Sequence, residues 1–184
     1  MIDSMTLNTF KDMGGDLAIM VITSGEELMR TNIQIMKTVM KDKNLCLYVA
    51  VNQPYKRMKK ILENGMIDTN RVFFIDCITE TSGGKAERVK NCLFVNSPSS
   101  LTELGISITQ ALQAMPGDKF LFVDALSTLV IYNSPKSLAR FSHFLMTRVK
   151  LLGLAGIFMV VEKEMGEVLL SQVKQFCDKV IKVN

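Results

Sequence analysis

Seven short and nearly uninterrupted apolar runs, at 17–23, 45–51, 72–77, 92–96, 120–124, 155–161 and 180–183, are spaced along the chain. A strand with one wet face alternates apolar and polar residues. A continuous run needs apolar cover on both faces, which a parallel sheet receives from helices packed above and below it. The segments between the runs have helical periodicity, near 25–41, 54–63, 100–115, 135–152 and 164–176. This alternation predicts an α/β fold with an open, mostly parallel sheet flanked by helices. At 184 residues, 48% of them apolar, the chain is expected to form one domain, 1–184, with a core of its own.

Local chemistry sharpens some boundaries. Ser100 and Glu103 have capping-box spacing, positions 101, 104, 108, 111, 112 and 115 form an apolar face, and Pro116-Gly117 stops that helix. Ser134-Pro135 starts the next helix and Gly153 ends it. The polar stretch 79–91 reads as a loop, and its Gly-Gly-Lys lacks the apolar helix that follows a phosphate loop.

Some functional classes are disfavoured. The four cysteines (Cys46, Cys77, Cys92, Cys177) form no C-x-x-C pair and are expected to be reduced thiols. The single histidine, His143, has no acid near it in the sequence, so neither a metal site nor a histidine-based triad is expected. No apolar stretch approaches the ~18 residues of a membrane span, and the N-terminus lacks a basic-then-apolar leader, so a cytoplasmic location is expected.

The stretch VITSGEELMRTN, 21–32, has the strand, turn and helix pattern of a phosphate loop without its G-x-x-x-x-G-K-[ST] spacing; Gly25 is the only glycine in the turn. Ser24 and Glu27 instead fit a capping box, which would satisfy the helix's first N–H groups from within. Glu26 and Glu27 also face the positive end of the helix dipole, the field that a phosphate would use.

Over its whole length the chain resembles the RecA/KaiC-like ATPase domain, in particular the archaeal single-domain type. The segment NIQIMKTVMKDKNLCLYVAVNQP is similar to the helix, turn and second strand after that family's phosphate loop, with its Tyr-Val-x-x-x-x-Pro ending. The segment KFLFVDALSTLVIYN resembles a Walker B strand ending in Asp124 and followed by Ser127, and FCDKVIKVN resembles the family's terminal strand. The resemblance implies a three-layer RecA-like fold. It also places Leu28 and Met29 where the family has Lys and Ser/Thr, and neither can hold phosphate or Mg²⁺. A slipped register would use Arg30 and Thr31 there, with Met29 in place of a glycine. The family's glutamate pair after the second strand is here Asn52-Gln53, and an amide can orient water but cannot take its proton.

These substitutions imply a RecA/KaiC-like domain with a degenerate Walker A segment, acting without hydrolysis as a regulatory or assembly module. In that reading Ser24, Gly25, Arg30, Thr31 and Asp124 are remnants of a nucleotide site, no cofactor is needed, and the partner is a protein or a second copy. The alternative is an ATPase that binds ATP with Mg²⁺ through Arg30, Thr31 and Asp124. Nucleic acid is not expected, since Tyr55 with Lys56, Arg57, Lys59 and Lys60 reads as a solvated helix face and the net charge is only +4. Titration with single-stranded and duplex oligonucleotides should give no sub-micromolar binding at physiological salt. Tight binding lost on replacing those four basic residues would reverse this assignment.

Overall fold

A computed structural model describes residues 2–11, 13–42 and 45–183. After a short helix, α1 (Ser4–Asn8), the chain alternates β1 (Leu17–Thr23), α2 (Leu28–Val39), β2 (Leu45–Ala50), α3 (Tyr55–Asn64) and β3 (Val72–Asp76). It continues through β4 (Cys92–Phe94), α4 (Leu101–Ala114), β5 (Lys119–Asp124) and α5 (Pro135–Leu151). Last come β6 (Ala155–Val161), α6 (Glu162–Met165), α7 (Glu167–Lys174) and β7 (Lys179–Lys182). The strands form one seven-stranded sheet in the order β4-β3-β2-β5-β6-β1-β7, and every pairing between them is parallel.

Alternate residues of the five inner strands feed two separate cores. Ala18, Met20 and Ile22 of β1 join Phe158, Val160 and the inner residues of α4, α5 and α7 on one face. Ile19 and Val21 join Tyr48, Phe120, Phe122 and the inner residues of α2 and α3 on the other. This is the three-layer arrangement that continuous apolar strands require.

The structure redraws several sequence-derived boundaries. The helix expected over 164–176 is two pieces, because Gly166 between them takes a positive φ of 72°. Ser100 is at the N-cap of α4 without a side-chain cap. Glu103 instead accepts a hydrogen bond from Asn96 Nδ2 at 3.0 Å, so that capping box is not formed. Ser134 does cap α5, its hydroxyl accepting from the Ser137 N–H at 3.2 Å with Pro135 in the first turn. The turn expected before β2 would include 43–44, which lie outside the described residues.

One glycine lets α5 approach the sheet. A Cβ on Gly156 of β6 would lie 2.8 Å from Phe158 Cε2 and 3.1 Å from Val149 Cγ2. Both neighbours are fully buried, so neither can move without disturbing the packing around it. Gly156→Ala is expected to destabilise the fold by about 1–3 kcal/mol, as overpacking does. Urea unfolding measures this, and an unchanged midpoint would show that the layer gives way freely.

Candidate functional site

In an open parallel sheet, ligands bind beyond the carboxyl ends of the strands where the chain switches from one face to the other. Two positions qualify here, β1 and the neighbouring strands β2 and β5, whose onward helices α3 and α5 lie on opposite faces. The chain leaves β1 through α2 on one face, whereas the β6-to-β7 connection through α6 and α7 crosses on the opposite face. At β1 a cleft of about 580 Å³ is bordered by Thr23 at the strand's end, by Ser24, Gly25 and Glu26 beyond it, by Glu162 after β6 and by Lys182 of β7. Lys182 Nζ pairs with Glu162 Oε2 at 2.8 Å across its wall. The hydrogen bond and charge of Lys182 hold the Glu162 carboxyl below its usual range.

Helix α2 does not begin directly after Ser24. Residues 25–27 form a turn, Glu27 takes the N-cap position in αR geometry, and the helix starts at Leu28. Ser24 Oγ accepts the Glu27 N–H at 3.4 Å, a long bond, so one half of the expected capping box is present in weak form. Gly25, a poor helix former, lies inside the stretch expected to be helical and is consistent with the later start. Arg30 is exposed on α2 and pairs with Glu27 at 3.5 Å. Thr31 is buried with its hydroxyl unpartnered, as is that of Thr23.

Asp124 lies at the second of these positions, two strands from β1, at the end of β5 and on the α2 side of the sheet. Its side chain is fully buried. Oδ1 accepts from Asn32 Nδ2 of α2 at 2.7 Å and from Asn52 Nδ2 after β2 at 3.2 Å. Oδ2 accepts from the Tyr48 hydroxyl of β2 at 2.6 Å. Asn52 is oriented in turn by the Thr128 hydroxyl, which donates to its Oδ1 at 2.6 Å. Tyr48 is held by stacking on Phe122, with ring centroids 5.3 Å apart. The peptide bond from Asp124 to Ala125 is cis. Thus α2, β2, β5 and the loops after β2 and β5 meet on one carboxylate. None of its hydrogen bonds comes from Arg30 or Thr31.

Asn32 and Tyr48 are the members of this cluster that sequence reading missed. Asn32 occupies the core stripe of α2 with Ile35, Met36 and Val39, and a buried amide on an apolar stripe requires a partner. Tyr48 lies inside a buried strand, where its hydroxyl has the same need. A second buried carboxylate, Asp76 at the end of β3, organises the loop that follows. It accepts from the N–H groups of Tyr55, Ile78 and Thr79 at 2.7–2.8 Å and from the Thr79 hydroxyl.

The basic run of α3 is likewise defined. Tyr55 is buried against Phe74 and Phe94 and is therefore no platform for stacking bases. Lys56 pairs with Glu87 and Lys59 with Glu63. The His143 ring lies 4.7 Å from Phe176 on the surface. Among the described residues no cluster of His, Cys, Asp and Glu could hold a metal ion, and no helix is long and apolar enough to cross a membrane.

The sequence profile of a family of unknown function, DUF7504, matches residues 43–183. The chain belongs to that family. No curated protein matches it. Among solved structures, the uncharacterized protein PH0321 of Pyrococcus horikoshii, in complex with an unknown peptide, is similar at a TM-score of 0.70 and 12% identity, over 94% of this chain and 79% of that one. The KaiC-like protein PH0186 of the same archaeon is similar at 0.65 and 11%, over 91% and 71%. At such identities the likeness shows the fold alone, and that fold is KaiC-like and RecA-like.

Burial pushes the Asp124 carboxyl above its usual range, against the pull of the hydrogen bonds from Tyr48, Asn32 and Asn52. An acid with a higher pKa in the folded state contributes stability below its unfolded pKa, about 3.9, and loses that contribution as pH rises through the folded value. Asp124→Asn removes this titration. The stability of D124N relative to wild type, from urea unfolding at stepped pH, is therefore expected to be flat at low pH and to rise above about pH 4. A difference that falls over that range would contradict the raised carboxyl.

Proposed function

We propose that this member of the family is a RecA/KaiC-like domain that does not hydrolyse nucleotide and serves as a regulatory or assembly module for a protein partner. The observation that carries the reading is the state of Asp124. Its oxygens already accept from Asn32, Asn52 and Tyr48 inside the core. A carboxylate that holds Mg²⁺, directly or through water, needs lone pairs directed at the site and prefers to be ionised. Three donors already occupy the Asp124 oxygens, and burial raises its pKa.

The helix start supports the same reading. Leu28 and Met29 open α2 with no charge for a phosphate, and Glu26 and Glu27 place negative charge just ahead of it. Arg30, the one cation in that turn, is engaged with Glu27 and exposed. The residues present therefore do not fit Mg-ATP. The competing reading, an ATPase using Arg30, Thr31 and Asp124, is favoured by one observation, the buried and unpartnered Thr31 hydroxyl.

A protein partner suits a fold that retains rigid helix faces without the chemistry, and PH0321 was solved with an unknown peptide bound. Thermal-shift titration with Mg-ATP separates the two readings, because a ligand at 100 times its Kd adds about 2.7 kcal/mol to stability. The expected result is no shift at millimolar Mg-ATP and no phosphate release above a heat-denatured control. Turnover that is lost in Asp124→Asn, with the fold retained, would overturn the proposal.

A further inference from the structure

Helix α5 lies between α4 and α7 on the outer face of one helix layer. It contains Lys136, Arg140, Arg148 and Lys150 and not a single Asp or Glu. Only Lys150 has a carboxylate partner, Asp178 at 3.0 Å; among the described residues Lys136 and Arg140 have none. Lys136, Arg140 and Phe144 follow one another at intervals of four and are exposed, so they form a single ridge along the helix. The Arg148 guanidinium lies 5.3 Å from the centre of the Phe144 ring.

A groove flanks this ridge on each side. The one towards α4, about 1000 Å³, is lined by Ile106, Phe141 and Phe144. The one towards α7, about 890 Å³, is lined by Val168, Leu169 and Phe176. Arg140 borders both. The apolar lining is open to solvent: Ile106 is 52% exposed, Phe144 38% and Val168 76%. Gly105 deepens the first groove, since a Cβ there would come within 3.0 Å of Phe144 Cε1. Exposed apolar side chains gathered around unpaired cations have the make-up of an interface, in which aromatic and arginine anchors dominate.

We propose that this face binds an acidic, amphipathic helical segment of a partner protein. The proposal deepens the protein-binding reading above and rests on it. Grooves between parallel helix ridges accept a third helix, whose apolar residues at intervals of three and four enter the groove. Carboxylates on the flank of that helix meet Lys136 and Arg140, supplying the charge that α5 lacks. The 17-residue α5 is about 25 Å long, which matches a partner helix of similar length. Glu103 and Glu167 border one groove each, which confines favourable contacts with a partner's carboxylates to the Lys136–Arg140 ridge between them.

Selection of random 16-residue peptides displayed on phage against the whole chain tests the proposal without assuming a sequence. Enriched peptides are expected to carry net negative charge with apolar residues at helical spacing. Their affinity, by fluorescence anisotropy, is expected to fall by about tenfold or more in Lys136→Glu/Arg140→Glu and in Ile106→Ser. The charge-reversal variant should melt like wild type, since both side chains are exposed. Enriched peptides that bind these variants unchanged would place the interface elsewhere and overturn this surface while leaving the protein-binding reading intact. Failure to enrich any peptide would overturn the surface, and failure of the reading itself is seen independently in the Mg-ATP titration. Phosphatidylserine vesicles and duplex DNA are run beside the peptides, with sedimentation for self-association. Binding of either probe, or self-association, that is abolished by the charge reversal would assign the face to that occupant instead and overturn the acidic-helix proposal.

Discussion

A carboxylate in an apolar interior is costly unless every oxygen finds donors, and in this fold the donors come from separate parts of the chain. Asp124 ends β5, Asn32 lies on the inner stripe of α2, Tyr48 is in β2 and Asn52 in the loop beyond it. Satisfying one side chain therefore fixes how α2 lies over the sheet and how the loop after β2 folds back. Loss of any donor leaves a buried acceptor short of a partner, a penalty of about 1–3 kcal/mol or more where charge is involved. The same enclosure takes the carboxylate away from the cleft at the end of β1. A group needed to hold the architecture together is poorly placed to exchange ligands at a site.

The architecture was legible because its determinant is simple. Continuous apolar runs separated by helical patterns leave few solutions, and the all-parallel sheet with two cores is one of them. Boundaries were less legible where two local preferences competed. Gly166 interrupts what would otherwise read as one helix over 164–176, and Glu103 bonds Asn96 rather than completing a cap with Ser100. A capping-box spacing states what can form, and the neighbouring loop decided what did.

The site was legible only in outline. Asp124 stands out as an acid ending an apolar strand, but its partners are distant in sequence, Asn32 by 92 positions and Tyr48 by 76. Each of them does leave a local trace, an amide or a hydroxyl where the pattern calls for hydrocarbon. What no local trace reveals is that these residues converge on the same carboxylate. The ridge of α5 was hidden for a different reason. Its positive charge is visible in the sequence, but the apolar grooves beside it arise only when α4 and α7 are packed against it.

We propose that Asp124 serves the interior and not a metal–nucleotide site. Paramagnetic broadening by Mn²⁺ with ATP, read residue by residue in the amide spectrum, examines this most directly. Weak broadening at exposed carboxylates is expected, and none centred on residues 23–31 and 124. Selective, saturable broadening of those residues together, removed by Asp124→Asn, would contradict it.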